Sequence, residues 1–168
     1  EWQTGCYGYK PILFSNGMRI KGYSQNEQYF THQRQRLIEL FSPKSCDYEY
    51  IISKYGPVID QPVCVGIHVR AFKLEVGDNP IWPQYDEEYY TMAMDYFPDD
   101  ALFVVTSDSI EFAKKMIPVS GRDVVFIENE PPHIDFYLLS FCDHNIISNS
   151  TFSWWAAWLN QNPEKIVI

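Results

Sequence analysis

Val63-Cys64-Val65-Gly66-Ile67-His68-Val69-Arg70 is an almost unbroken apolar run that closes on two polar side chains, His68 and Arg70. A strand that is apolar on both faces belongs in a sheet covered on both sides, the setting of a parallel sheet flanked by helices. Residues 63–69 therefore predict a buried strand, with His68 and Arg70 at its carboxyl end.

Working outward, the same pattern recurs. Residues 102–106, 124–127, 145–148 and 166–168 predict four further short strands rich in Val, Ile and Phe. Helical segments are expected between them, over 86–96, 134–142 and 152–160. Another follows Asp108-Ser109-Ile110-Glu111, where Asp108 would cap and Glu111 would answer three residues later. This alternation predicts an α/β fold, a Rossmann-like parallel sheet flanked by helices. Upstream, residues 26–41 predict a helix, residues 1–25 look irregular, and Pro57, Pro62, Pro80, Pro83, Pro131 and Pro132 punctuate loops. The expected division is a partial N-terminal linking region, 1–62, and a Rossmann-like lobe, 63–168, cut short at its C-terminal end.

With 168 residues, 46% of them apolar, the chain can bury one ordinary core. Thirteen Lys and Arg against 22 Asp and Glu give a net charge of -9, which repels polyanions and excludes non-specific nucleic-acid binding. A small anionic ligand can still be held by a few local donors. Cys6, Cys46, Cys64 and Cys142 show no C-x-x-C spacing, against a zinc knuckle or a dithiol redox pair, and leave a disulfide open. No apolar run is long enough to predict a spanning helix. The aromatic share, 17%, suits cores and sugar-stacking surfaces alike.

In an open parallel sheet, ligands gather at the carboxyl ends of the strands, where helix N-termini present free N–H groups to anions. Three strand ends carry polar residues: His68-Val69-Arg70, Thr106-Ser107-Asp108 and Ser148-Asn149-Ser150-Thr151. His68 and Arg70, two apart on an extended strand, face the same side. Arg70 offers a permanent charge and forked donors matched to phosphate, with a salt bridge to one of the many carboxylates as the competing reading. His68 is a site candidate or a satisfied structural residue. Asn149, Ser150 and Thr151 would line an anion-accepting helix start or merely cap it. Asp135 complements the dipole of its helix, or turns its two oxygens toward the paired N–H donors of guanine. Trp154, Trp155 and Trp158, at helical spacing, read as core.

Two stretches go further. Asp135-Phe136-Tyr137-Leu138-Leu139-Ser140 and the run from His144 to Asn160, with Ser148-Asn149-Ser150-Thr151-Phe152-Ser153-Trp154-Trp155 at its centre, resemble the α-1,2-fucosyltransferase family. Val65-Gly66-Ile67-His68-Val69-Arg70 resembles the start of its H-x-R-R-G-D motif, and Phe103-Val104-Val105-Thr106-Ser107-Asp108 its middle motif, in the expected order. Tyr23-Ser24-Gln25 and Tyr29-Phe30 are similar to the segment before the first motif.

The resemblance implies a GT-B architecture of which this is the C-terminal, donor-binding lobe. It implies GDP-fucose as donor, a galactose-containing glycan as acceptor, inversion at the fucose anomeric carbon, and no required metal or other cofactor. By it, Arg70 holds the pyrophosphate and stabilises departing GDP, His68 lines the donor site, Asp135 reads guanine, and Asn149, Ser150 and Thr151 complete the donor site. Two departures stand out: Ala71 replaces the second Arg of the first motif, and its Gly-Asp pair is displaced to Gly77-Asp78. Asp78, or Glu75, is then the candidate catalytic base, and a lobe that binds nucleotide sugar without turnover is the alternative function. The family's N-terminal G-N-Q motif is absent, as expected of a chain lacking most of the acceptor lobe. Bacterial members are cytoplasmic or membrane-associated and animal members are Golgi proteins, any membrane association here being expected through a segment beyond these residues. The oligomeric state is left open.

Overall fold

The computed structural model describes residues 2–3, 8–22, 24–71 and 84–168. The chain forms two units, Glu1–Ser42 and Pro43–Ile168. In the first, β1 (Trp2–Gln3) pairs in parallel with β2 (Ile20–Lys21). The helix expected over 26–41 is only partly α-helical. Asn26 accepts the Gln28 amide and opens a 3-10 turn, Glu27–Tyr29; a second, Thr31–Gln33, precedes α1 (Arg34–Leu40). Phe30, with φ -140° and ψ -2°, interrupts the helical path between the two turns.

In the second unit, α2 (Ser45–Ile59) leads into β3 (Cys64–Val69), followed by α3 (Glu87–Met94), β4 (Leu102–Ser107), α4 (Ile110–Met116), β5 (Asp123–Phe126), α5 (Pro132–Phe141), β6 (His144–Ile146) and α6 (Thr151–Leu159). The four strands form one parallel sheet in the order β5-β4-β3-β6. The fold is the expected α/β one, a Rossmann-like parallel sheet with helices on both faces.

The α2 helix was not expected. Tyr48, Ile51, Tyr55 and Val58 recur on one face at helical spacing, but Pro57 reads as a breaker because it has no N–H for the helical ladder. The helix tolerates it near the C-terminal end, where Ile51 and Tyr55 bury against α5 and outweigh one lost hydrogen bond. Pro131 and Pro132 are likewise not simple loop residues: Pro132 opens α5, where its missing N–H costs nothing. The expected fifth strand, 166–168, is a single bridge, Asn145 to Val167, beside β6.

Alternation along the strands builds two cores. Val65, Ile67, Val69, Phe103 and Val105 pack against Tyr90, Ala93 and Met94 of α3 and Ala113 of α4. Cys64 and Val104 point the other way, toward Ile51 and Tyr55 of α2 and Ile134, Leu138 and Cys142 of α5. Gly66 lies on that second face where α5 approaches closest. A Cβ there would sit 3.1 Å from Cys142 Sγ and Leu139 Cδ2 and 3.2 Å from Asn145 Nδ2. Cys46, Cys64 and Cys142 are free thiols.

The strand order fixes where a ligand can enter. From β3 the chain moves to β4 and β5 on one side, then returns to place β6 on the other side of β3. Between β3 and β6 the winding reverses. Helices leaving those two strands diverge to opposite faces and open a crevice at the carboxyl ends.

Candidate functional site

At the carboxyl ends of β3 and β6 stand His68, on β3, and Arg70, just after it, together with Ser148, Asn149 and Ser150 of the β6–α6 connection and Thr151, the first residue of α6. His68 is 4% exposed, and its Nδ1 shares a 2.9 Å hydrogen bond with Ser148 Oγ. Its ring lies against Phe152 in the first turn of α6, with centroids 5.0 Å apart. Those two contacts fasten the end of β3 to the start of α6. Burial, and to a lesser extent the Arg70 charge, lower the His68 pKa to about 4 against the opposing pull of Asp108. The imidazole is therefore neutral near pH 7, with Nδ1 engaged by Ser148.

Arg70 is met by a carboxylate, as the competing reading held: its Nη1 lies 3.0 Å from Asp108 Oδ2. The same carboxylate accepts the Ala71 amide at 2.7 Å. Asp108 thus does not cap α4, whose N-cap is Ser109; it holds the end of β3 to the end of β4. A structural salt bridge and a ligand-binding role are compatible, because a guanidinium carries five N–H donors and can serve more than one partner. The Arg70 side chain is 39% exposed.

At the start of α6, Ser150 is the N-cap and accepts the Phe152 amide at 3.3 Å. Ser153 Oγ donates back to this turn, lying 3.2 Å from Ser148 O and 3.1 Å from Ser150 O. As first-turn residues of α6, Thr151 and Ser153 have amides with no intrahelical acceptor, which form the positive end of the helix at this turn. Thr151 is exposed and Asn149 half-buried. Of the three tryptophans expected in the core only Trp158 is buried; Trp154 and Trp155 are half-buried and pack on it and on each other.

Two buried oxygens on the same sheet face, Thr106 Oγ1 and Asp135 Oδ1, have no hydrogen-bond partner among the described residues. Thr106 stands beside His68 in register. Asp135 sits in the first turn of α5, where burial and the nearby Glu130 charge raise its pKa to about 7. Its position is set by a contact that the sequence did not reveal. Glu130, just before α5, accepts from Tyr50 Oη at 2.8 Å and Tyr55 Oη at 2.7 Å and is ion-paired to Lys54, all three on α2. These donors hold its pKa below the usual carboxylate range although burial acts in the opposite direction. The clamp anchors the β5–α5 connection, in which Asn129 adopts a left-handed φ of 61°.

Gly77, Asp78 and Glu75 lie outside the described residues. Among the described residues no group of three His, Cys, Asp or Glu side chains is placed to hold a metal ion, and no helix is long and apolar enough to cross a membrane.

The family model described as Glycosyl transferase family 11 matches residues 12–168. The chain is 34% identical over 155 residues to an alpha-1,2-colitosyltransferase of Escherichia coli, covering 88% of this chain and 53% of that protein. It is 34% identical over 174 residues to galactoside alpha-(1,2)-fucosyltransferase 1 of Mus musculus, covering 95% of this chain and 45% of that one. The chain spans about half the length of these curated relatives. Among solved structures it is similar to NodZ alpha-1,6-fucosyltransferase soaked with GDP-fucose, with TM-score 0.47 and 17% identity over 81% of this chain and 60% of that chain.

Proposed function

The chain belongs to glycosyl transferase family 11, and from that premise we propose that it is the donor-binding lobe of a galactoside 2-α-L-fucosyltransferase of GT-B type. In this reading the enzyme moves fucose from GDP-fucose to the 2-hydroxyl of a galactose-containing glycan, with inversion. The observation that carries it is the strand order: the winding reverses between β3 and β6, and the residues matching the family motifs lie on either side of that reversal.

Each group has a chemical task. Arg70 and the amides at the start of α6 meet the diphosphate and the negative charge that grows on it as the anomeric C–O bond breaks. His68, neutral and fixed by Ser148, donates or accepts one hydrogen bond through Nε2 to the donor. The Asp135 carboxylate, already short of a partner, takes the N1–H and exocyclic amine of guanine, a pair of donors that uracil lacks. Fixed protein donors offset the leaving charge, so the reading calls for no metal. Relatives are named for fucosyl and for colitosyl transfer, and fucosyl transfer is the reading proposed for this chain.

One observation favours a second reading, a lobe that binds the nucleotide sugar without turning it over. Ala71 stands where the family motif has its second Arg, it is 8% exposed, and Asp108 and Gln84 engage its amide and carbonyl. That site offers the phosphates no charge. The two readings separate on GDP release measured with and without lactose. Acceptor-dependent release supports the transferase, and GDP binding without release supports the second reading. For either, GDP raises the melting temperature and UDP does not; equal shifts contradict the guanine assignment.

A further inference from the structure

A stacked aromatic pair stands at the mouth of the same crevice, on the face opposite Asp135. Tyr85 lies on Tyr89 with ring centroids 4.1 Å apart and an interplanar angle of 21°. Tyr89 is anchored from below: its hydroxyl donates to Ile147 O at 2.7 Å, its amide donates to Asp86 Oδ1 at 3.0 Å, and its ring packs edge-on against the buried Tyr90. Tyr85 is anchored from the side, since the preceding residue, Gln84, donates to Ala71 O. One anchor is the residue just before Ser148 and the other is the residue just after Arg70. The pair therefore bridges the ends of β3 and β6, the two strands between which the ligand enters.

Tyr85 is nonetheless 38% exposed, while Tyr89 covers one of its faces. A large ring held rigidly by its neighbours, and open at the rim of a binding crevice, gives contact area at little cost in conformational entropy. The charge around it selects the class of ligand. Asp86, Glu87 and Glu88 follow directly and are exposed, so this rim disfavours phosphate and accepts hydroxyl donors. A ligand with an apolar C–H face and hydroxyl edges meets both conditions, and a pyranose ring has that form.

We infer that Tyr85 is a sugar platform, stacking on the C–H face of a pyranose belonging to one of the two substrates, and so a specificity-determining residue of the transfer site. This rests on the donor-lobe reading above. Guanine and diphosphate occupy the Asp135 and Arg70 side, and the sugar end of the donor or the acceptor galactose reaches the Tyr85 side.

The test uses calorimetric titration of GDP and GDP-fucose and steady-state kinetics with lactose, on the wild-type chain in its full-length protein and on Tyr85→Ala, Tyr85→Leu and Tyr85→Trp. Leu keeps apolar packing on Tyr89 without an aromatic face, so it serves if Ala disturbs folding. Loss of the ring is expected to weaken one sugar contact by about fivefold to tenfold, with Trp restoring it. If GDP-fucose weakens while GDP does not, the platform serves the donor sugar. If both keep their affinity while the KM for lactose rises, it serves the acceptor. Unchanged sugar affinities, or a loss that is the same for GDP and for GDP-fucose, overturn the inference. Failure of the wild-type protein to bind GDP overturns the donor-lobe reading and this inference together, whereas GDP binding with Tyr85-insensitive sugars overturns only the latter.

Discussion

Asp108 holds Arg70 at 3.0 Å while accepting the amide of the next residue, so the carboxylate fixes both the charge and the backbone at the end of β3. Two opposite effects on a diphosphate follow. In the proposed donor site the negative charge would repel phosphate, and the clamp would preorganise the guanidinium that attracts it. Half-exposed charges are well screened, so orientation is the larger effect here. Asp108→Ala is therefore expected to weaken GDP binding by about tenfold, and calorimetry checks it. Tighter binding would mean that repulsion dominates.

Asp135 makes a pH prediction with two parts. Its folded pKa, about 7, is above the ordinary 3.8, so the folded chain holds a proton that the unfolded chain has lost across that window. The resulting stability is present at acid pH and disappears as pH rises through about 7. If Asp135 reads guanine as proposed, that contact needs the ionised form, so GDP affinity changes in the opposite sense, falling as pH drops below about 7. Asp135→Asn should raise the melting temperature at pH 8, flatten the pH dependence of binding, and lower GDP affinity. Thermal melts and titrations at several pH values read all three.

His68 behaves as the reverse case. Its folded pKa, about 4, is below the ordinary 6.5, so stability is intact above 6.5 and is lost as pH falls toward 4, where the unfolded chain protonates first. His68→Gln should remove this acid sensitivity from the melting curve. It should leave the neutral-pH activity profile without a histidine inflection near 6.5, because the native ring does not titrate there.

Gly66→Ala should cost about 1–3 kcal/mol, the range for forcing extra volume into a packed core. The added methyl would meet two apolar atoms at 3.1 Å, between α5 and the central strand. Denaturant unfolding measures the loss. No change would mean that α5 can shift outward freely.

The sheet was legible because each central strand is buried on both faces, which leaves a continuous Val, Ile and Phe signal. Elements held by partners distant in sequence were not. Pro57 hid α2, since its local cost is plain in sequence and the burial of Ile51 and Tyr55 that offsets it is not. Asp108 carries the signature of a helix cap, and only the folded position of Arg70 shows where the carboxylate goes. Arg70, His68 and the Ser148–Thr151 turn were readable as strand-end groups. The Lys54 to Glu130 clamp joins residues 76 apart and had no sequence signal. A carboxylate among three α2 donors becomes visible only once α2 lies beside the start of α5. Tyr85 was hidden for a related reason: its exposure and its stacking on Tyr89 depend on where α3 begins.

In the proposed donor site Arg70 and the start of α6 grip one diphosphate. The most direct test of that grip is the affinity difference between GDP and guanosine, measured by calorimetry for the wild-type protein and for Arg70→Ala. Arg70→Ala is expected to weaken GDP by about tenfold to a hundredfold and to leave guanosine unchanged, the loss of a charge-assisted phosphate contact. Equal affinities of GDP for the two proteins would contradict it.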